Sequence, residues 1–218
     1  MTITNNSSQP SNLLGKIKKK FQLSKTENTN LSNLGSSPKN NFLFSHPHSP
    51  YYSAGLSNIL FLSKRGLSRA PLAREIMREM LYSSEHFGSI RPSARGTSDA
   101  YELCAFDKRM VYCARKFGYQ LSGASRMVNM SELSSTNLII TLDQESESFT
   151  NSQKAYIYGE VLPIASFLPT GSLPYIADPF ERDDSIQTNS IYKEIILSLE
   201  LACKNLLDSV PAIVFQVS

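Results

Sequence analysis

The distribution of apolar and polar positions changes abruptly a quarter of the way along the chain. Residues 1–55 are dominated by Asn, Ser, Thr, Lys and Pro, with few β-branched or aromatic side chains. Such a segment cannot bury enough apolar surface to offset the entropy of ordering its backbone, so it is expected to be a disordered tail. Inside it, Leu13, Leu14, Ile17 and Phe21 recur at helical spacing with Lys16, Lys18, Lys19 and Lys20 between them. One short segment interrupted by Gly15 is a marginal helix. A solvated basic tail is the reading adopted, with contact to an anionic membrane surface or a partner as the alternative.

From residue 58 the pattern is that of a folded domain, expected over residues 56–210. Ile59-Leu60-Phe61-Leu62 is a short apolar run of the kind buried on both faces of a parallel sheet. A helix is predicted over 70–82, with Pro71 near its first position and Leu72, Ile76, Met77 and Met80 along one face. Residues 90–94 form a candidate second strand. A second helix is predicted over 106–117, with Met110, Val111, Ala114 and Phe117 as its stripe and Gly118 as its stop. Residues 138–142 read as a third strand and residues 155–158 as a fourth. A last helix is predicted over 191–207, with apolar positions 191, 195, 196, 199, 203, 206 and 207. Strands alternating with helices argue for an α/β fold built on a parallel sheet. Residues 211–218 form a C-terminal extension whose apolar start suggests docking or an added strand.

Composition narrows the class. With 218 residues and 41% hydrophobic content the chain supports one substantial core. The net charge of +3 is uneven: residues 1–52 hold six lysines and one glutamate, net +5, which leaves −2 for the rest. The basic character therefore lies in the tail, and no nucleic-acid partner is expected. Cys104, Cys113 and Cys203 show no metal-ligand spacing and leave one thiol over in any disulfide scheme. They read as core or surface helix residues in a reducing, cytoplasmic setting. No stretch reaches the length of a membrane-spanning helix. His46-Pro47-His48 has no carboxylate or cysteine beside it and is taken as a loop, so neither a metal nor a cofactor is expected.

In open α/β sheets ligands bind beyond the carboxyl ends of the strands, and the first strand-to-helix turn here is Ser63-Lys64-Arg65-Gly66-Leu67-Ser68-Arg69. It lacks the glycine and Lys-Ser/Thr pattern of a nucleotide-binding loop. A hydroxyl residue, five residues, then arginine resembles the C-x5-R phosphate cradle of protein tyrosine phosphatases. The flanks resemble the low-molecular-weight class in particular, whose strand is followed by Cys-x-Gly-Asn-x-Cys-Arg-Ser-Pro. Here the register needs no gap from Ile59 to Pro71. Ser93-Ala94-Arg95-Gly96-Thr97 resembles the family's Ser-Ala-Gly-Thr with one residue inserted. Leu138 to Asp143 resembles the end of its third strand, and Asp178-Pro179-Phe180 its acid loop.

The resemblance implies a three-layer domain, a central four-stranded parallel sheet with helices on both faces and the phosphate loop after the first strand. It implies that Ser63, Lys64, Arg65, Gly66, Leu67, Ser68 and Arg69 wrap a phosphate with their N–H groups, Arg69 gripping two oxygens through a bidentate fork. Asp178 would be the general acid and Phe180 the apolar wall against the substrate ring.

The departures decide what chemistry is expected. Position 63 is a cysteine in the family, and a thiolate is reached by a modest shift from a pKa near ~8.5, whereas a serine hydroxyl starts several units higher. The family's hydroxyl after the arginine is Ala70, and His86 lies too far along to act as a base. The family's glycine is Arg65, its asparagine is Gly66, which tolerates positive φ, and its second loop cysteine is Ser68. Two functions stand. The first is a pseudophosphatase that captures phosphotyrosine protein or a small phosphomonoester with impaired hydrolysis. The second is an active tyrosine phosphatase that uses Asp178.

Overall fold

The computed structural model describes residues 57–180 and 188–214. The basic tail, His46 and His48, and residues 215–218 of the extension lie outside them. Four strands, β1 (Ser57–Ser63), β2 (Ile90–Gly96), β3 (Leu138–Thr141) and β4 (Glu160–Pro163), form one sheet. All pairs are parallel and the order is β2-β1-β3-β4. The expected α/β class is therefore the observed one.

β1 is central because its residues serve both faces. Ile59 and Phe61 enter the larger core cluster, while Leu60 and Leu62 enter a second cluster on the opposite face, as the period of two requires. The larger cluster lies under α1 (Arg69–Tyr82), α2 (Lys108–Lys116) and α5 (Thr188–Val214). The smaller is completed by Leu133 of α3 (Met130–Ser135), with Phe149 of α4 (Gln144–Ser152), Ile157 and Val161 packed against it. Helices thus cover both faces in three layers.

The predicted stripes are those that pack. Leu72, Ile76 and Met77 of α1 are buried, and so are Met110 and Ala114 of α2 and Ile195, Ile196, Leu199, Cys203 and Leu206 of α5. Asp107 caps α2 by accepting the Arg109 N–H at 3.0 Å, and Gly118 follows its end at φ 92°. The backbone of α5 stays helical through Val214.

The fourth strand differs from the expectation. Residues 155–158 are not a strand: Lys154–Tyr156 form a 3-10 turn, and Tyr156 and Tyr158 are exposed. β4 begins after Gly159, where an added Cβ would lie 2.2 Å from the Thr136 carbonyl oxygen. Only glycine lets the chain pass this close to the end of α3, and the ladder with β3 begins at the next residue, Glu160. Pro163 sits at the end of this edge strand, where a missing donor is tolerated.

One further reading is corrected. Cys104 lies in a loop rather than a helix, and it is exposed. His86 lies in the turn after α1, at the end remote from the Ser63 loop.

Candidate active site

The strand order creates the site. The chain leaves β1 for β2 on one side, then crosses back to β3 on the other, so the carboxyl ends of β1 and β3 flank a crevice. The loop 64–68 after β1 and Asp143 after β3 meet there.

The loop is clamped on every side. Thr97 N–H donates to the Ser63 and Lys64 carbonyls at 3.1 and 3.2 Å, and Ser98 N–H to the Lys64 carbonyl at 3.1 Å. Ser125 Oγ donates to the Arg65 carbonyl at 2.7 Å, and Asp107 N–H to the Leu67 carbonyl at 3.0 Å. Gly66 turns the loop at φ 63°, and an added Cβ would lie 2.6 Å from both the Gly96 nitrogen and Ser125 Oγ. The glycine expected to take positive φ does so, and the crowding leaves room for nothing larger.

Asp143 holds the loop to the sheet. Its carboxylate accepts the Lys64 N–H at 2.9 Å, the Arg69 guanidinium at 2.7 Å and the Ser146 N–H at 2.8 Å, and it also caps α4. Arg69 is 3% exposed, which for an arginine demands partners in every direction. It donates further to the Ile176 carbonyl at 2.6 Å and to Asp178 Oδ2 at 3.0 Å. Asp178 also accepts from Arg65 at 3.3 Å and, through its other oxygen, from the Phe180 N–H at 3.0 Å.

Donors remain at the head of α1. The Ser68 hydroxyl is buried without a partner, and among the described residues the N–H groups of Leu67 and Ser68 enter no backbone hydrogen bond. These groups stand at the positive end of a 14-residue helix, next to a buried guanidinium. Beside Arg69 opens a cleft of about 800 Å³ lined by Thr97, Asp143, Glu145, Tyr175 and Asp178 among others. Lys64 Nζ pairs with Glu145 at 2.8 Å and holds that carboxyl below its usual range. Ser63 is 2% exposed, and its Oγ accepts the Gly66 N–H at 3.2 Å.

A sequence model of the family described as low molecular weight phosphotyrosine protein phosphatase matches residues 58–214. This chain belongs to that family.

Solved structures agree on the fold. One is a protein tyrosine phosphatase from Entamoeba histolytica with Hepes in the active site, at TM-score 0.65 and 21% identity over 72% of this chain and 97% of that one. Another is YfkJ from Bacillus subtilis, at TM-score 0.64 and 18% identity over 73% and 97%. A third is a cysteine-to-serine mutant of YwlE arginine phosphatase with a phosphorylated active site serine, at TM-score 0.59 and 18% identity over 70% and 95%. No curated protein matches the chain.

Within this phosphatase-family domain, two of the residues singled out in the sequence, Arg69 and Asp178, line the cleft, while Arg65 links Asp178 to Phe180 and Ser63 lies buried beneath the loop. Two partners were not singled out. Asp143 was seen only as a strand end, although Asp143 with Ser146 three residues on is a helix-start signal, and both reciprocal capping bonds form. Tyr101 accepts the Arg65 Nε–H at 3.2 Å from a 3-10 turn, and nothing in its own sequence surroundings marks it. Among the described residues no cluster of His, Cys, Asp and Glu is fit to hold a metal.

Proposed function

We propose that this chain binds phosphotyrosine or another phosphomonoester in the 63–69 loop and hydrolyses it poorly or not at all. The observation that carries the binding half is the unpartnered Ser68 hydroxyl at the head of α1 beside buried Arg69. A buried donor left unsatisfied costs about 1–3 kcal/mol, and a phosphate oxygen is the acceptor that loop amides and helix terminus jointly favour. The Arg69 fork expected to grip two phosphate oxygens is instead held by the Ile176 carbonyl, Asp143 and Asp178, so it would join the phosphate only by releasing one of them.

The impaired hydrolysis follows from Ser63. For its oxygen to attack phosphorus, the hydroxyl proton must leave as the P–O bond forms. Among the described residues its one side-chain hydrogen bond is received from Gly66 N–H, which offers no base. The carboxylates nearby, Asp143 and Asp178, are both committed to Arg69. The second reading, an active tyrosine phosphatase, is favoured by the retention of Asp178 in the crevice, where it could protonate a leaving phenolate. To do so it would have to give up both its arginine contacts.

Turnover of an aryl phosphate by the chain and by Ser63→Cys, with inorganic phosphate affinity for both, tests the reading. We expect phosphate binding in both and turnover at least about a hundredfold faster in the cysteine variant. Equal, rapid turnover would establish the active-enzyme reading instead, and no phosphate binding by either would remove the site assignment.

A further inference from the structure

Arg65 stands where the family has glycine, and the side chain it adds fills a particular space. Its Nε–H donates to the Tyr101 hydroxyl at 3.2 Å and its Nη1 lies 3.3 Å from Asp178 Oδ2. Its Cζ lies over two aromatic rings, 4.9 Å from the centre of Phe180 and 5.7 Å from that of Tyr101. The side chain is 19% exposed, well enclosed for an arginine at the rim of a cleft. A planar cation is therefore held by the Tyr101 hydroxyl and the Asp178 carboxylate and lies nearest the Phe180 ring.

Phe180 is the wall against which, in the reading above, the ring of an aryl phosphate would rest. We infer that Arg65 occupies that aryl position itself, so that the site of this chain is selective for a phosphate on a small or non-aromatic carrier over phosphotyrosine. The inference rests on the loop being a phosphate cradle. A phosphate entering alone reaches the Ser68 end of the loop and leaves the guanidinium in place. An aromatic ring attached to it must displace Arg65 from Phe180, Tyr101 and Asp178 together. The displaced cation–π and ion-pair contacts oppose aryl binding by about tenfold or more.

The test is calorimetric titration of the full chain and of Arg65→Ala with inorganic phosphate, phosphoserine and free phosphotyrosine. Removal of one positive charge weakens all three phosphate dianions alike, so the ratio of phosphotyrosine to phosphoserine affinity is the quantity to read. That ratio should lie below one for the chain as it stands and rise at least about tenfold in Arg65→Ala. Tyr101→Phe keeps the ring and removes only the hydroxyl that tethers Arg65, and should move the ratio the same way by about two- to threefold. It carries the test if Arg65→Ala fails to fold. A common loss for all three ligands with an unchanged ratio would make Arg65 a plain phosphate ligand and overturn the inference alone. So would a native preference for phosphotyrosine. Absence of inorganic phosphate binding by the unaltered chain would take down the cradle reading and this inference together.

Discussion

Replacing Asp143 by alanine should destabilise the fold more than any other single change in the crevice. Three donors converge on this carboxylate: the Arg69 guanidinium at 2.7 Å, the Lys64 N–H at 2.9 Å and the Ser146 N–H at 2.8 Å. The ion pair is enclosed, with side chains 4% and 7% exposed. Breaking a buried pair from one side costs about 3–5 kcal/mol because a desolvated charge is left behind. Arg69 keeps Asp178 at 3.0 Å, which argues for the lower end of that range. Loss of the α4 cap contributes about 1 kcal/mol more, and the bonds share one acceptor group, so the parts do not simply add. The expected total is about 3–4 kcal/mol for Asp143→Ala. Asp143→Asn, which preserves shape and an acceptor for Ser146, should lose about half of that. Urea unfolding monitored by circular dichroism would read this as a shift of midpoint at constant slope. A double-mutant cycle with Arg69→Met should return a coupling of about 2 kcal/mol or more. A loss under about 1 kcal/mol for Asp143→Ala would mean that Arg69 and the loop are held by other contacts, and the account of the site would fail.

Gly66→Ala should cost at least about 2 kcal/mol, since φ 63° is strained for alanine and its Cβ meets backbone at 2.6 Å. Gly118→Ala, at φ 92° with nothing within 4 Å, should cost only about 1 kcal/mol in the same urea assay. A thiol reagent at mild alkaline pH should label exposed Cys104 rapidly and leave Cys113 and Cys203 until the chain is denatured, because burial shields both thiols and raises their pKa values. The Lys64 contact lowers the Glu145 pKa in the folded state, so it stabilises above the ordinary glutamate pKa and the contribution disappears as pH falls through the lowered value. The pair is well exposed, so Glu145→Gln should change stability by under about 0.5 kcal/mol at neutral pH and by nothing measurable once the carboxyl is protonated.

Local order was legible in this chain wherever one stretch of residues carried its own reason. β1, the loop and α1 follow from an apolar run, a polar turn with Gly66 and a stripe opened by Pro71, all within residues 58–82. α2 and α5 were legible for the same reason, since a buried face at helical spacing is a short-range pattern. Helices α3 and α4 were not, because MSELSS and QESESFTNS bury few apolar residues and are marked mainly by their capping boxes. The register of β4 depended on Gly159 passing beside Thr136, a contact between separate parts of the chain.

The site divides along the same line. The available groups could be read from the order of residues: a serine in place of a thiol, an arginine closing a seven-residue loop, and an aspartate before a proline. How they are engaged depends on contacts between distant segments. Arg69 is bound to carboxylates 74 and 109 positions away, and Arg65 reaches a tyrosine 36 positions on. Such partners converge because parallel strands bring distant segments to one end of the sheet, and no periodicity within a segment encodes that meeting.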